Sequence, residues 1–211
     1  MDKNTHRITL QHIARRAMIS RGLEPDFPAA ELNELTEITL PAVYKASIAK
    51  EMRNLLWCSI DNASSLDLDQ LTYAEQLQGN KARVLVAIAD VDALVTAKSN
   101  INSHASLNTA SVYTAAQLFP MLPEKLSTDL TSLRLNADRC AIVVEMIVGN
   151  DGAVQKSEVY RAIVHNHAKL DYMSLAAWLE GMGPIPPEVT KISGLAENIK
   201  LQDQVAQKMK E

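Results

Sequence analysis

The chain has 211 residues, 47% of them hydrophobic, and a formal net charge of −4, which is enough apolar content to bury one sizeable core. No apolar run approaches the ~20 residues that span a bilayer, and the opening Met1-Asp2-Lys3-Asn4-Thr5-His6 lacks the layout of a secretory signal, so no membrane contact is expected. Cys58 and Cys140 have neither metal-site spacing nor disulfide density and read as small buried hydrophobes of a cytoplasmic protein.

Ile8, Ile13, Ala14, Ala17 and Met18 recur at helical spacing, predicting an amphipathic helix over residues 5–21 with Gly22 as its stop. Its other side carries Arg7, Arg15, Arg16 and Arg21, a solvated face before it is an RNA contact. Residues 23–41 hold Pro25, Pro28 and Pro41 among acidic residues and read as a loop with at most a short helix near 30–35. A helix is expected over 42–55. Residues 83–88 and 140–148 are apolar runs of strand length, and Asn150-Asp151-Gly152 is a hairpin turn into a strand over 153–164, giving a meander. A short helix over 173–179 has Asp171 near its start and Gly181 past its end, and Leu195, Ile199, Leu201, Val205 and Met209 predict a last helix that meets Glu211 without a stop signal.

The stretch from Ser59 to Leu71 sets Asp61, Asp67 and Asp69 at odd positions within nine residues. In an extended segment alternate side chains share a face, and like charges held close repel unless a cation lies between them. Such hard oxygen ligands suit Mg²⁺ or Mn²⁺ and phosphoryl-transfer chemistry. For an isolated D-x-D pair the solvated acidic loop would be favoured instead.

Around this stretch lie three further blocks. Trp57-Cys58-Ser59-Ile60 precedes it, Val84-Leu85-Val86-Ala87-Ile88-Ala89-Asp90-Val91-Asp92 follows, and Ser111-Val112-Tyr113 leads to Phe119-Pro120-Met121-Leu122-Pro123 and on through Leu126-Ser127 to Ser132-Leu133. In this order the blocks resemble the catalytic half of the ribonuclease II/R (RNB-domain) 3′→5′ exoribonucleases, from about Leu55 to the last residue. The resemblance implies an α+β fold with a mixed, largely antiparallel sheet and flanking helices. With the helical segment and linker read over 1–54, it leaves a partial RNB catalytic domain over 55–211, expected to be cut short at its C-terminus.

The family's pattern of four aspartates, D-x5-D-x-D-D, organises Mg²⁺ around the scissile phosphate. Asp61, Asp67 and Asp69 match it, whereas Gln70 stands at the fourth position and offers a neutral carbonyl oxygen. The resemblance gives Asp69 the critical role in cleavage, with Asp67 beside it, and makes Tyr113 a stacking platform for the RNA 3′ end. It implies hydrolysis of single-stranded RNA to nucleoside 5′-monophosphates, with the missing half of the domain or a second copy as a further partner. The rival reading is an inactive RNB fragment that binds RNA or serves as an interaction module. A metal-dependent hydrolase of small phosphate esters shares the aspartates but leaves Tyr113 and the Pro120 block unexplained.

Other candidates read more plainly as structure. Asp90 and Asp92 suit a strand end or turn, His165 and His167 hydrogen-bonded or surface roles, Trp57 and Trp178 packing, and Arg139 an ion pair as readily as an RNA contact.

Overall fold

Trp57 and Cys58 are neighbours in sequence and both fully buried, yet they belong to different apolar clusters, as side chains alternating across a strand require. The computed structural model describes residues 3–45 and 47–210. Among these the strands are β1 (Lys50–Glu51), β2 (Cys58–Asp61), β3 (Gln70–Leu77), β4 (Lys81–Ala89), β5 (Val112–Tyr113), β6 (Leu118–Phe119), β7 (Asp138–Val148), β8 (Val154–His165) and β9 (Ala168–Asp171). The α-helices are α1 (Lys3–Ser20), α2 (Ala29–Glu37), α3 (Asn100–Asn108), α4 (Tyr172–Leu179), α5 (Pro187–Thr190) and α6 (Leu195–Lys210). They fall into two compact units, one of Met1–Leu40 with Val91–Ser127, the other of Pro41–Asp90 with Thr128–Glu211.

The second unit is built on a seven-stranded sheet in the order β1-β8-β7-β4-β3-β2-β9. Its pairs are antiparallel except β1 with β8 and β2 with β9, so the sheet is mixed and largely antiparallel. Leu71, Leu85, Ala87, Val143 and Val164 join Trp57 on one face. Residues of opposite parity, Ala82 and Val148, meet Val205 of α6, while Cys58, Ala168 and Leu170 pack with Leu175 of α4 and Leu195 and Ile199 of α6. The expected hairpin turn joins β7 to β8. There Gly152 has φ +77°, and a Cβ on it would come within 2.1 Å of the Lys208 carbonyl oxygen of α6, so both backbone conformation and close approach demand glycine.

Helix α6 is also tied to the sheet by an amide. Asn198 Nδ2 donates to the Ala74 carbonyl at 2.6 Å and its Oδ1 accepts from the Ala74 N–H at 3.4 Å. The β2–β3 pairing reaches only Thr72, and the asparagine satisfies the backbone beyond it.

The helix expected over 42–55 does not form. The described part of that segment is extended and turning, with β1 in it, because tertiary bonds outweigh local propensity. Cys140 Sγ donates to the Ala42 carbonyl at 3.2 Å, the Tyr44 hydroxyl donates to Asp90, and the Met52 N–H donates to Ile163 at 3.0 Å. Trp57 anchors the exit through its indole N–H, 2.8 Å from the Met52 carbonyl.

The first unit contains α1, α2, α3 and the β5–β6 ribbon. Helix α1 forms as expected but without a fully packed apolar face: Met18 is buried, whereas Ile8 and Ile13 are exposed. Glu31 of α2 is fully buried and neither of its carboxylate oxygens has a hydrogen-bond partner. His104 Nδ1 of α3 lies 3.5 Å away. Burial, then the charges of Glu34 and Glu24, push the Glu31 carboxyl up to about 7.

Candidate active site

Asp61 is the last residue of β2, and the chain then bends rather than running on extended. Asp61 Oδ1 accepts from the Asn62 N–H at 2.7 Å and from the Ser65 hydroxyl at 2.8 Å, while the Ser65 N–H donates to the Asn62 carbonyl at 3.0 Å. A short side chain that hydrogen-bonds its own downstream backbone is the usual chemistry of such a turn. Strand parity therefore does not carry across Asp61 to Asp67; the bend brings Asp61 towards the later aspartates. Parity does hold locally, with Leu68 buried between half-buried Asp67 and exposed Asp69.

The backbone under Asp67 and Asp69 is held from three directions. The Leu68 N–H donates to Ser132 Oγ at 3.0 Å, and that hydroxyl donates to the Leu66 carbonyl at 2.7 Å. The Leu68 carbonyl accepts from the Leu133 N–H at 2.8 Å, and the Asp69 carbonyl accepts from the Ala89 N–H at 2.9 Å. Lys169 of β9 reaches the bend, its ammonium donating to the carbonyls of Ala63 at 2.9 Å and Ser65 at 2.5 Å. β9 itself pairs with β2 in parallel, Asp61 opposite Asp171, and Asp171 caps α4 by accepting from the Ser174 N–H at 3.0 Å.

Asp69 feels the charges of the other two aspartates. Partial burial, then the charge of Asp67, then that of Asp61, raise the Asp69 carboxyl above the usual carboxylate range. Mutual repulsion of this kind is what a hard cation relieves, and oxygen-only donors suit Mg²⁺ or Mn²⁺, so the chemistry of the donor set fits the ion. As placed, no three His, Cys, Asp or Glu side chains among the described residues gather as a ligand set. Gln70 opens β3 opposite Ile88 and is exposed. Tyr113 belongs to the first unit, on β5 paired with β6, with 71% of its surface open to solvent.

The plainer readings hold for Asp90, the two histidines and the cysteines, whereas Arg139 bonds backbone carbonyls in place of the expected ion pair. Asp90 is buried and binds Tyr44 and, at 3.5 Å, Arg161. His165 pairs with Asp138 at 2.6 Å and His167 meets the Arg53 carbonyl at 2.9 Å. Arg139 donates to the carbonyls of Asp138 and Asp129 rather than to a carboxylate, and both cysteines are free and buried. The residues that sequence reasoning missed are Ser132 and Lys169. The first lay inside a recognised block without a role, and the second, 108 positions after Asp61, had no local signal.

A mixed sheet with helices packed on it and a carboxylate-bearing loop between its interior strands β2 and β3 defines an α+β domain with an acidic loop at one end of its strands. The RNB domain family matches residues 49–211. "Exoribonuclease 2" of Shigella boydii serotype 18 is 33% identical over 162 residues, covering 76% of this chain and 25% of that relative. The chain thus spans about a quarter of the length of the curated relatives it matches. Mycoplasma genitalium RNase R in complex with double-stranded RNA shares the fold with a TM-score of 0.79 at 21% identity, over 90% of this chain and 33% of that one. A yeast pseudonuclease shares it with a TM-score of 0.58 at 14% identity, over 72% of this chain and 19% of its own. The chain belongs to the RNB-domain family.

Proposed function

We propose that this chain carries the acidic centre of a metal-dependent 3′→5′ exoribonuclease that hydrolyses single-stranded RNA to nucleoside 5′-monophosphates in the cytoplasm. The observation that carries the reading is the coupling of Asp69 to Asp67 and Asp61 on a loop whose backbone is fixed by partners distant in sequence. Family membership supplies the reaction class: relatives are named exoribonucleases, and RNA accompanies RNase R in the structural neighbours.

Asp61, Asp67 and Asp69 would hold Mg²⁺ or Mn²⁺, with Gln70 adding at most a neutral oxygen. When bound, a divalent cation neutralises charge developing on a phosphate and acidifies water for in-line attack. The chain's own part is positional. Its carboxylates stand on a rigid backbone, so little reorganisation is needed when charge develops, and the open ring of Tyr113 can stack against an RNA base. Among the described residues no helix is long and apolar enough to cross a membrane.

The test is digestion of 5′-labelled single-stranded RNA with Mg²⁺ or Mn²⁺, alone and with a polypeptide supplying the rest of an RNB domain. Cleavage should release 5′-monophosphates, and Asp69→Asn should abolish it with the melting temperature unchanged or raised, because a charge leaves a crowded acidic site. Retained cleavage by highly purified Asp69→Asn protein would sink the assignment.

A further inference from the structure

Three like charges on one loop push it open, so bonds made away from the carboxylates must offset their repulsion. Two side chains from distant parts of the sheet unit make such bonds. Ser132 is fully buried, and its hydroxyl uses both of its capacities on the loop: it accepts from the Leu68 N–H and donates to the Leu66 carbonyl. Asp67 lies between those two residues and Asp69 directly after them. With the Leu133 N–H on the Leu68 carbonyl, residues 132–133 act as a minimal partner strand for the segment that carries both aspartates. Lys169 performs the matching task on the other half of the loop. Its ammonium bridges two carbonyls of the bend that follows Asp61, and β9, which carries it, is paired with the strand that ends at Asp61.

We infer that Ser132 and Lys169 are positioning residues that hold the backbone of the carboxylate loop before any cation arrives, so that binding has only to turn the carboxylate side chains and does not have to order the loop. The inference rests on reading the aspartates as a divalent-ion site. A preorganised backbone avoids the entropy of ordering a loop at the moment of binding, and the bonds from Ser132 and Lys169 are made to backbone groups of the loop, not to its carboxylates.

The experiment uses the full chain and reads the loop separately from the ion. In metal-free protein, amide hydrogen exchange is followed at Leu68 in Ser132→Ala and at Ser65 in Lys169→Met, with the fully buried Val143 of β7 as the internal reference. Loss of Ser132 should speed exchange at the Leu68 amide that it binds, and loss of Lys169 at the Ser65 amide, which donates to the Asn62 carbonyl within the bend that Lys169 ties, by about tenfold or more while Val143 stays protected. Terbium luminescence then reports cation binding. Affinity should fall about tenfold in Lys169→Met and stay within about threefold of the unsubstituted chain in Lys169→Arg, which keeps a cationic donor. Lys169 is only half-buried, so its variants keep the test alive if Ser132→Ala fails to fold. Unchanged exchange at both amides, or undiminished terbium affinity in Lys169→Met, would overturn the inference. Protection that depends on Ser132 and Lys169 in a chain that binds no terbium would uphold the clamp and overturn the divalent-ion reading instead.

Discussion

Replacing Asn198 by alanine should detach α6 from the sheet at one measurable point. Asn198 and Ala74 are both buried, and the amide satisfies both backbone groups of Ala74. Truncation leaves a buried N–H and a buried C=O unpaired at about 1–3 kcal/mol each, and it frees Gln202, which donates to Asn198 Oδ1 at 2.7 Å. Alanine's better helix propensity returns about 0.5 kcal/mol. The net expectation is a loss of about 3 kcal/mol. Urea unfolding followed by tryptophan fluorescence suits the measurement, since Trp57 and Trp178 both report on the sheet unit; the midpoint should fall at an unchanged slope. Asn198→Asp sharpens the test. Its carboxylate still accepts from the Ala74 N–H but faces the Ala74 carbonyl with no proton to give, so its stability should improve as pH falls and the carboxyl regains a donor. A loss below about 0.5 kcal/mol in Asn198→Ala would refute the argument, showing that water or a shifted helix satisfies Ala74 equally well.

Two other substitutions address charge. Glu31 has a carboxyl pushed to about 7 from an ordinary 4.5, so the folded state binds its proton more tightly and stability should fall as pH rises from about 4.5 to about 7. Glu31→Gln should abolish that contribution, leaving the variant on the order of 2 kcal/mol more stable than the parent at pH 8 and similar at pH 5; parallel profiles in denaturant titrations across this range would contradict it. Gln70→Asp adds an anionic oxygen to the acidic loop and should tighten Mg²⁺ binding in calorimetric titration, whereas unchanged affinity would mean that position 70 points away from the site.

Local signals in the chain predicted local structure well. The Asn150-Asp151-Gly152 turn, the strands beside it, the Asp171 cap on α4 and the apolar spacing of α6 all form as the pattern requires. Residues 42–55 mislead because any local helix preference is outweighed by the bonds that Cys140, Asp90 and Ile163 make to them. The parallel pairing of β2 with β9 joins residues more than a hundred positions apart, a distance over which no periodicity can speak. The aspartates were legible as a cluster because carboxylates at that density are conspicuous. How they are brought together was not, since a bend at Asp61 replaces the extended run that alternation suggests.

The long reach of the loop's supports bears on how the chain is made. A ribosome delivers Asp61, Asp67 and Asp69 before the residues that support them, and the β3–β4 hairpin next to them can close at once because its contacts are local. Ser132 follows only 66 residues after Leu66, and Lys169 106 residues after Ala63. Until then a nascent polypeptide displays the acidic residues without the framework that aligns them. The loop therefore takes its held form only once Lys169 has been made, through closures of high sequence separation within the sheet unit.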